Sequence, residues 1–364
     1  MRIVEAGFEI LNPPDPTDRI EVLKFIERIG RVCYKSEDAI TDTSCISFIQ
    51  KLRNRKHWAM LEHYFFAMSV PEYIFDALLN PQWYDIDNCA EVAMAMRFIN
   101  RTRWQASPSE RYKYIISGSA TAFNNLWQTK VFQKARYLGD PSMCEEVIVQ
   151  LCHFLEDQLP ELMFNPSPGI VSEIDKDIKF LSSEEIRLLP ISLRLIHDWM
   201  SIHFITDRGV SHELVRHRPC SWAQESTRFC DYGKEKFGRG INVLNPVFFE
   251  KDSEEYKIWY NSCKNSEEAY LRLTEPVPTE EEPGNTGEFG RQAQEARSIL
   301  PNSTKTEIVM TGILHELHHF FKMRLPKSAH PQMRQLTIPL FKSLPGNYKE
   351  VFTDLESWIE EGVS

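Results

Sequence analysis

Two short apolar runs limit the folds open to this chain. The runs "YFFAMSV" (residues 64–70) and "SIHFIT" (residues 201–206) are short and rich in aromatic or β-branched side chains, so they predict buried strands. The first ten residues, "MRIVEAGFEI", alternate in polarity as a strand does. By contrast, "RIEVLKFIERIGRVCYK" (residues 19–35) repeats apolar residues every three or four positions, which predicts a helix facing a core. The chain is therefore predicted to be an α/β protein.

The chain between these strands has mostly helical periodicity. Residues 73–195 predict a large helical insertion, with a helix start signal at Ser182-Ser183-Glu184-Glu185. Residues 275–290 are rich in Pro, Gly and Glu and predict an exposed acidic loop. We interpret residues 1–364 as a single domain containing both features. Three more helices are predicted, from about Ser211 to Arg216, within residues 291–301, and across "TKTEIVMTGILHELHHFFKMRL" (residues 304–325).

Composition and charge narrow the class of protein. The 364 residues are 42% apolar and 26% charged, which is ordinary for a globular chain. A net charge of -10 argues against bulk attraction to nucleic acid or to an anionic membrane surface. Any anionic ligand must therefore be bound by a local group of basic side chains.

The sequence contains no recognisable membrane span or export signal. No stretch approaches 18 uncharged apolar residues, and charges at Arg2, Glu5 and Glu9 interrupt the N-terminal segment. The eight cysteines are scattered and form no C-x-x-C pair, which predicts reduced thiols. Together these features predict a soluble, cytoplasmic protein.

The stretch "ILHELHHFFKMR" (residues 313–324) contains the H-E-x-x-H pattern of zinc proteases. On a helix, His315 and His319 would share one face, and Glu316 would lie beside them as general base. A hydrolytic site needs a third protein ligand, and the extended form of the motif is absent because two phenylalanines and a lysine follow directly. A zinc hydrolase is therefore kept only as an alternative.

Residues 208–232, "RGVSHELVRHRPCSWAQESTRFCDY", mix basic, polar and aromatic side chains. In a chain of negative net charge, this mixture predicts partly buried side chains rather than a solvated basic face. Arginine is well shaped for bidentate contact with phosphate, so the segment predicts a phosphorylated ligand with an aromatic portion. The polar residues of interest are Arg216, His217, Arg218, Ser221, Gln224, Ser226 and Arg228.

Three further segments contain candidate site residues, but each is weak evidence for a site unless it is considered together with the others. They are "HWAMLEH", with His57, Glu62 and His63, then Arg297 in "EARSILP", and Arg324. Taken alone, His63 would be a core histidine bonded to Glu62, and the two arginines would form surface ion pairs.

In this order, the elements resemble the flavin-dependent thymidylate synthases. The family signature of R-H-R, seven residues and Ser corresponds to Arg216-His217-Arg218 and Ser226, with Arg228 after it. An upstream H-x-x-x-x-E-H element corresponds to residues 57–63, and a downstream A-R-x-x-L-P element to residues 296–301. A following helix of the form R-E-L-x-x-F and then Arg is similar to residues 315–324. Four ordered elements are far more specific than one five-residue pattern.

The resemblance implies a fold, an assembly and a reaction. The fold has a central, mostly antiparallel sheet with flanking helices, and the assembly is a homotetramer with active sites between subunits. The reaction is the reductive methylation of dUMP to dTMP. Methylenetetrahydrofolate donates the one-carbon unit, FAD reduced by NADPH supplies the hydride, and no metal takes part.

The resemblance also assigns roles by position. The flavin carries the hydride chemistry, so the protein supplies orientation and electrostatic stabilisation. Cys220 lies beside Arg218, where a thiol pKa is easily lowered, but it matches no catalytic cysteine and is interpreted as structural. The cofactor would contact His57, Arg216, His217, Arg218 and His319. dUMP would contact Glu213, Gln224, Ser226, Arg228, Arg297 and Arg324, among which Ser226, Arg228 and Arg324 are the proposed catalytic residues.

Several positions depart from the family pattern. Glu213 stands where Gln is often found, Ala223 precedes Gln224 where Asn is usual, and Ile313 replaces an Asn that touches the flavin in some members. A carboxylate at Glu213 beside a nucleotide anion is costly unless it is paired. A paralogue that acts on another pyrimidine nucleotide therefore stays open.

Overall fold

A computed structural model of the chain describes residues 1–79, 86–129, 143–163, 176–275, 277–278, 286–287 and 290–360. The strands are β1 (Arg2–Val4), β2 (Gly7–Leu11), β3 (Phe65–Val70), β4 (Asn100–Trp104), β5 (Lys113–Ser119), β6 (Lys179–Phe180), β7 (Trp199–Asp207), β8 (Ser221–Gln224), β9 (Asn242–Leu244), β10 (Val277–Pro278), β11 (Thr286–Gly287) and β12 (Lys305–Ile313).

Helices cover both faces of the sheets that these strands form. They are α1 (Arg19–Val32), α2 (Ser44–Asn54), α3 (Glu72–Leu79), α4 (Ile86–Met96), α5 (Ala120–Trp127), α6 (Met143–Gln158), α7 (Ser183–Arg187), α8 (Ile191–His197), α9 (Arg208–Leu214), α10 (Glu254–Thr274), α11 (Ala293–Ala296), α12 (Leu314–Arg324), α13 (Pro331–Lys342), α14 (Gly346–Lys349) and α15 (Ser357–Glu360).

A four-stranded antiparallel sheet in the order β2-β7-β12-β8 lies at the centre of the molecule. The long pair β7 and β12 runs from Lys305 opposite Asp207 to Ile313 opposite Trp199. β2 pairs with the outer side of β7, and β8 pairs with the outer side of β12. The prediction of a mixed fold with a central antiparallel sheet is confirmed, and the R-H-R segment leads into the edge strand β8.

The two faces of this sheet pack against different helices. Successive side chains of a strand point to opposite faces. Trp199 and Val309 accordingly pack in a core with α1 and α2, whereas Phe204 and Met310 pack in a second core with α12 and α13. A residue on one face therefore reaches a different environment from its neighbour in sequence, which matters for the candidate site.

The sequence patterns predicted several elements correctly. The runs "YFFAMSV" and "SIHFIT" lie within β3 and β7, and residues 19–32 form α1, whose N-terminal Ile20 and Glu21 amides donate to the Asp18 carboxylate. The Ser182 signal is a capping box, in which the Ser182 hydroxyl and the Glu185 carboxylate each accept a backbone N–H. The predicted N-terminal strand is instead two strands, because β1 pairs with β9 and β2 pairs with β7.

The prediction of one helix across residues 304–325 was wrong in its first half. Lys305–Ile313 form β12, and only Leu314–Arg324 form α12. The consecutive residues Ile308, Val309 and Met310 are all buried, because β12 is an inner strand with a core on each face. Such an unbroken apolar run lacks the alternation of a half-exposed strand and resembles the start of a buried helix.

The prediction of a helical insertion was incomplete. A second antiparallel sheet has the order β4-β5-β3-β6, and three of its four strands, β4, β5 and β6, belong to residues 73–195. The Phe66 ring of β3 stacks on the Phe123 ring of α5 with centroids 4.8 Å apart. Residues 73–195 therefore share a sheet and a core with the preceding part of the chain.

Two further predictions concern the chain as a whole. Most of the predicted acidic loop, residues 275–290, lies outside the described residues; within it, β10 pairs with β11. The six cysteines whose side chains the structure describes, Cys33, Cys45, Cys152, Cys220, Cys230 and Cys263, are all free. Within the same described ranges, no helix combines the length and the apolar character needed to cross a membrane.

Candidate functional site

Most of the predicted site residues, together with some neighbours that were not predicted, form three groups around strand β8. We call them the Arg324 cluster (Glu213, His217, His319 and Arg324), the Ser226 turn (Tyr34, His57, Ser226, Arg228 and Phe229) and the Arg218 cavity, whose lining is described below. The Arg324 cluster contacts α12 on one side of the sheet, whereas the Ser226 turn contacts the end of α1, which packs on the other side.

The Arg324 cluster joins the end of α12 to the R-H-R segment. The Arg324 guanidinium donates from Nε to His217 Nε2 at 2.9 Å, and from Nη1 to a carboxylate oxygen of Glu213 at 2.8 Å. The rings of His217 and His319 lie 6.1 Å apart, and His217 packs edge-on against Phe320 at 5.0 Å. The structure thus brings together four residues that were predicted from two separate motifs.

His217 is held as a neutral ring. Burial lowers its pKa to about 4, and the nearby Arg324 and His319 act in the same direction. Because His217 Nε2 accepts an N–H from Arg324, its own proton belongs on Nδ1. A neutral imidazole can orient the Arg324 guanidinium without repelling it.

The Ser226 turn lies where the R-H-R segment meets the end of α1. The Ser226 amide donates to the carbonyl of Cys33 at 3.0 Å, and the Ser226 hydroxyl accepts the Arg228 amide at 3.3 Å. Tyr34 bridges the motifs: its hydroxyl lies 3.1 Å from His57 Nδ1, and its ring lies 5.4 Å from that of Phe229. The Phe229 side chain is 60% exposed. Sequence reasoning missed Tyr34, because nothing in a helical stretch distinguished it from a core aromatic residue.

The Arg218 cavity lies between the central sheet and the insertion. Its volume is about 590 Å³, within the range of small-molecule sites. Burial raises the pKa of Glu62, one of its lining residues. The lining residues outside the segment 73–195 are Glu62, Phe65, Arg218, Pro219, Cys220, Ser221, Thr311, Gly312 and Ile313, and those within it are Arg97, Phe98, Asn100, Ser119, Thr121, Ala122 and Asn125.

The remaining candidate residues lie apart from these groups. Arg216 is exposed at the end of α9, and Arg297 is exposed after α11. Gln224 uses its side-chain amide to donate to the hydroxyls of Ser211 and Thr306, at 2.8 and 3.2 Å. The prediction of partly buried side chains in this segment is correct for His217, Ser221, Gln224 and Ser226 and wrong for Arg216, Arg218 and Arg228, which are all exposed.

A buried carboxylate inside the motif also escaped sequence reasoning. Glu225 is 3% exposed and accepts hydrogen bonds from Tyr232, from Lys305 and from the Glu307 amide, at 3.0, 3.0 and 3.2 Å. A buried charge with this many partners is held rigidly. Glu225 therefore fixes the backbone on which the neighbouring Ser226 stands. An acidic residue within an arginine-rich stretch was the available signal.

The structure agrees with the structural interpretation of Cys220 and changes the expected partner of His63. Burial, together with the nearby Glu316, raises the pKa of the Cys220 thiol to about 12, so Cys220 is not an activated thiol. His63 is fully buried as expected, but its Nδ1 lies 2.8 Å from the Thr311 hydroxyl, so its side-chain partner is Thr311 rather than Glu62.

The H-E-x-x-H pattern lies on an exposed face of α12. His315 and His319 are exposed, and His315 Nδ1 lies 3.2 Å from a carboxylate oxygen of Glu316. In the portion of the chain that the structure describes, no group of three or more His, Cys, Asp or Glu side chains is arranged to hold a metal ion. His319 instead lies beside His217 within the Arg324 cluster, with ring centroids 6.1 Å apart.

Comparison with known proteins shows which family part of this chain is similar to. The family model described as thymidylate synthase complementing protein matches residues 196–345, which include the R-H-R segment, β12 and α12. The resemblance that the motifs predict is thereby confirmed over this part of the chain.

The similar curated proteins are named flavin-dependent thymidylate synthases. The one from Mycobacteroides abscessus is 32% identical over 151 residues, which is 41% of this chain and 58% of the relative. The one from Mycolicibacterium vanbaalenii is 31% identical over 151 residues, with the same coverage of both chains. This chain thus matches little more than half the length of these relatives.

Two solved structures show weaker likenesses. Thymidylate synthase X from Helicobacter pylori, solved with FAD and dUMP, has a TM-score of 0.32 and 20% identity, and the match covers 44% of this chain and 73% of the other. The UMP/dUMP methylase PolB from Streptomyces cacaoi, bound with 5-Br dUMP, has a TM-score of 0.34 and 19% identity, with coverage of 46% and 77%.

Proposed function

We propose that the protein is a flavin-dependent thymidylate synthase, which converts dUMP to dTMP with methylenetetrahydrofolate, FAD and NADPH. The observation that carries the proposal is the set of exposed arginines at 216, 218, 228 and 297. Within the described residues, none of the four has a carboxylate at ion-pair distance, although the chain as a whole is acidic. Unpaired guanidinium groups in the family's signature positions suit phosphorylated ligands.

Bound flavin would supply the hydride, and the residues of this chain would bind and orient the reactants. Arg218 lines a cavity of a size suited to part of the cofactor. The neutral His217, which precedes Arg218 in the sequence, orients the guanidinium of Arg324. Arg228 and Arg297 would meet the phosphate and the ring oxygens of dUMP, stabilising the negative charge that develops on an activated uracil. The Ser226 hydroxyl accepts the Arg228 amide, so its own O–H is left to donate to the nucleotide.

We also propose a homotetramer whose active sites lie between subunits. In one chain, the Arg324 cluster and the Ser226 turn lie against opposite sides of the central sheet, so a second subunit would have to complete each site. Light scattering during gel filtration should give the mass of four chains, and a monomer at micromolar concentration would contradict this assembly. The small-molecule partners are then dUMP, the folate and NADPH, in a cytoplasm that keeps the free thiols reduced.

One observation favours a second candidate, a paralogue that acts on another pyrimidine nucleotide. Glu213 stands where the family often has Gln. Its carboxylate accepts a hydrogen bond from the guanidinium of Arg324, which is a predicted contact of dUMP. This ion pair removes part of the positive charge on which dUMP binding would depend. The choice between a uracil and a cytosine ring therefore has to be measured directly.

The purified protein tests the proposal through colour and turnover. We expect a yellow preparation whose flavin absorbance bleaches under NADPH without air, and dTMP formation when dUMP and methylenetetrahydrofolate are added. dCMP and UMP serve as competing nucleotides, and preferential methylation of either one would establish the paralogue. A colourless protein that holds one tightly bound zinc per chain would overturn the proposal in favour of a hydrolase.

A further inference from the structure

The Arg218 cavity is lined both by residues of the predicted insertion (73–195) and by residues that precede and follow it in the sequence. On one side stand Glu62, Arg218 and Gly312, and on the other stand Arg97 and Phe98, which connect α4 to β4. The family match covers residues 196–345, so it includes Arg218 and Gly312, whereas Glu62, Arg97 and Phe98 lie outside it. The insertion therefore adds a wall to a cavity that already contains a predicted cofactor residue.

The backbone around Arg97 and Phe98 is held in place by the second sheet. A Cβ atom on Gly118 of β5 would stand 3.2 Å from the Phe98 carbonyl oxygen, so the two segments approach closely. The Ile99 amide donates to the Met96 carbonyl at 3.0 Å, and the Asn100 side chain donates to the Ile196 carbonyl at 3.1 Å. The Arg97 side chain thus projects from a fixed point beside the cavity.

The charges on the cavity wall favour an anion. Arg97 and Arg218 are both exposed, and the described residues place no carboxylate within ion-pair distance of either guanidinium. Among the described residues that line the cavity, Glu62 is the only acidic one, and the two arginines outweigh its charge. The Arg97 guanidinium also lies 4.9 Å above the Phe98 ring, which is 53% exposed. A positive group beside an exposed aromatic ring suits a ligand with both phosphate and a flat ring system.

We propose that Arg97 and Phe98 of the insertion are FAD-binding residues, with Arg97 and Arg218 together contacting the cofactor diphosphate. This inference rests on the proposed function. It gives the insertion a specific role, which is to close the cofactor site from within the same chain. NADPH carries a similar diphosphate, so the test must separate the two dinucleotides.

The test compares Arg97→Ala with Arg111→Ala in the full-length protein. Arg111 is also an exposed arginine of the insertion, but it does not line the cavity. After the flavin has been removed, FAD is titrated back and binding is followed by the change in flavin fluorescence. Loss of a charge-assisted contact should raise the Kd for FAD roughly 10- to 100-fold in Arg97→Ala, whereas Arg111→Ala should match the wild type. Arg97→Lys should lie between them, because lysine keeps the charge but loses the bidentate geometry.

Each of the other outcomes overturns the inference in a recognisable way. If wild type and Arg97→Ala bind FAD equally, the insertion does not contact the cofactor, although the proposed function stands. If FAD binding is unchanged but reduction of the flavin needs more NADPH in Arg97→Ala, the residue serves the reductant instead. If the wild type binds no FAD at all, the proposed function fails and the inference fails with it. Far-ultraviolet circular dichroism of each variant checks that the fold is retained.

Discussion

Arg228 projects into solvent from a turn that is fixed on both sides. Ser226 is bonded to the Cys33 carbonyl, and Phe229 packs against Tyr34, so the backbone between them is anchored while the guanidinium stays exposed. Arg216, in contrast, lies at the end of α9, beside the residues of the Arg324 cluster. The two arginines therefore serve different parts of the candidate site.

Replacing each of these arginines by alanine should show which one binds the nucleotide and which one binds the cofactor. We expect Arg228→Ala to weaken dUMP binding roughly 10- to 100-fold, as the loss of a charge-assisted phosphate contact implies, and to change FAD binding little. Arg216→Ala should show the reverse preference. Calorimetric titration of each variant with both ligands measures the four constants. Equal losses of dUMP and FAD in Arg228→Ala would show that the assigned role is wrong.

At this scale, the sequence could indicate which residues matter but not how they pair. Motif spacing singled out Arg324, His217 and Glu213, yet their hydrogen bonds depend on how α12 crosses the end of α9. Tyr34 joins His57 to Phe229 only because α1 ends beside the Ser226 turn. Contacts between residues far apart in sequence follow from tertiary packing, which a single sequence does not reveal.

Among the elements, local signals were most reliable where they act through the backbone. The capping box at Ser182 could be predicted because the capping residue bonds to an amide only three positions away. β12 was mistaken for helix because both of its faces are buried. β5, "KYIISGS", lies among helical segments, and its short β-branched run was not recognised as a strand.

The capping box allows a test of one short helix. Ser182→Ala removes the hydroxyl that accepts the Glu185 amide and should lower the free energy of unfolding by about 1 kcal/mol. Ser183→Ala, one position further along, removes a hydroxyl that does not cap α7 and is the matched control. Urea unfolding followed by tryptophan fluorescence gives both values. A loss of the same size in both variants would mean that the cap contributes nothing measurable.

For the whole molecule, three buried histidines make stability depend on pH. Burial lowers the pKa of His63, His197 and His217 to about 4, from an ordinary value of 6.5. Above pH 6.5 these rings are neutral in both the folded and the unfolded chain. Between pH 6.5 and 4 the unfolded chain binds more protons, so the folded state loses stability as the pH falls.

We therefore expect the free energy of unfolding to fall steeply from pH 6.5 towards pH 4.5. Each histidine contributes up to about 1.4 kcal/mol per pH unit in this window. Urea titrations at several pH values measure the slope, which His63→Gln should reduce. His318→Asn is the control, because His318 is only partly buried and pairs with Asp354. A wild-type slope close to zero over this window would contradict the expectation.

The strand pairings of β3 have a consequence for any variant in which residues 73–195 are shortened or removed. β3 belongs to the N-terminal part, yet both of its edges are paired, with β5 on one side and β6 on the other, and both partners come from the insertion. If residues 73–195 were deleted, β3 would be left with two bare edges and an uncovered apolar face, which is a template for self-association. Residues 73–195 therefore belong to the same structural unit as β3, and a variant that lacks them is expected to self-associate.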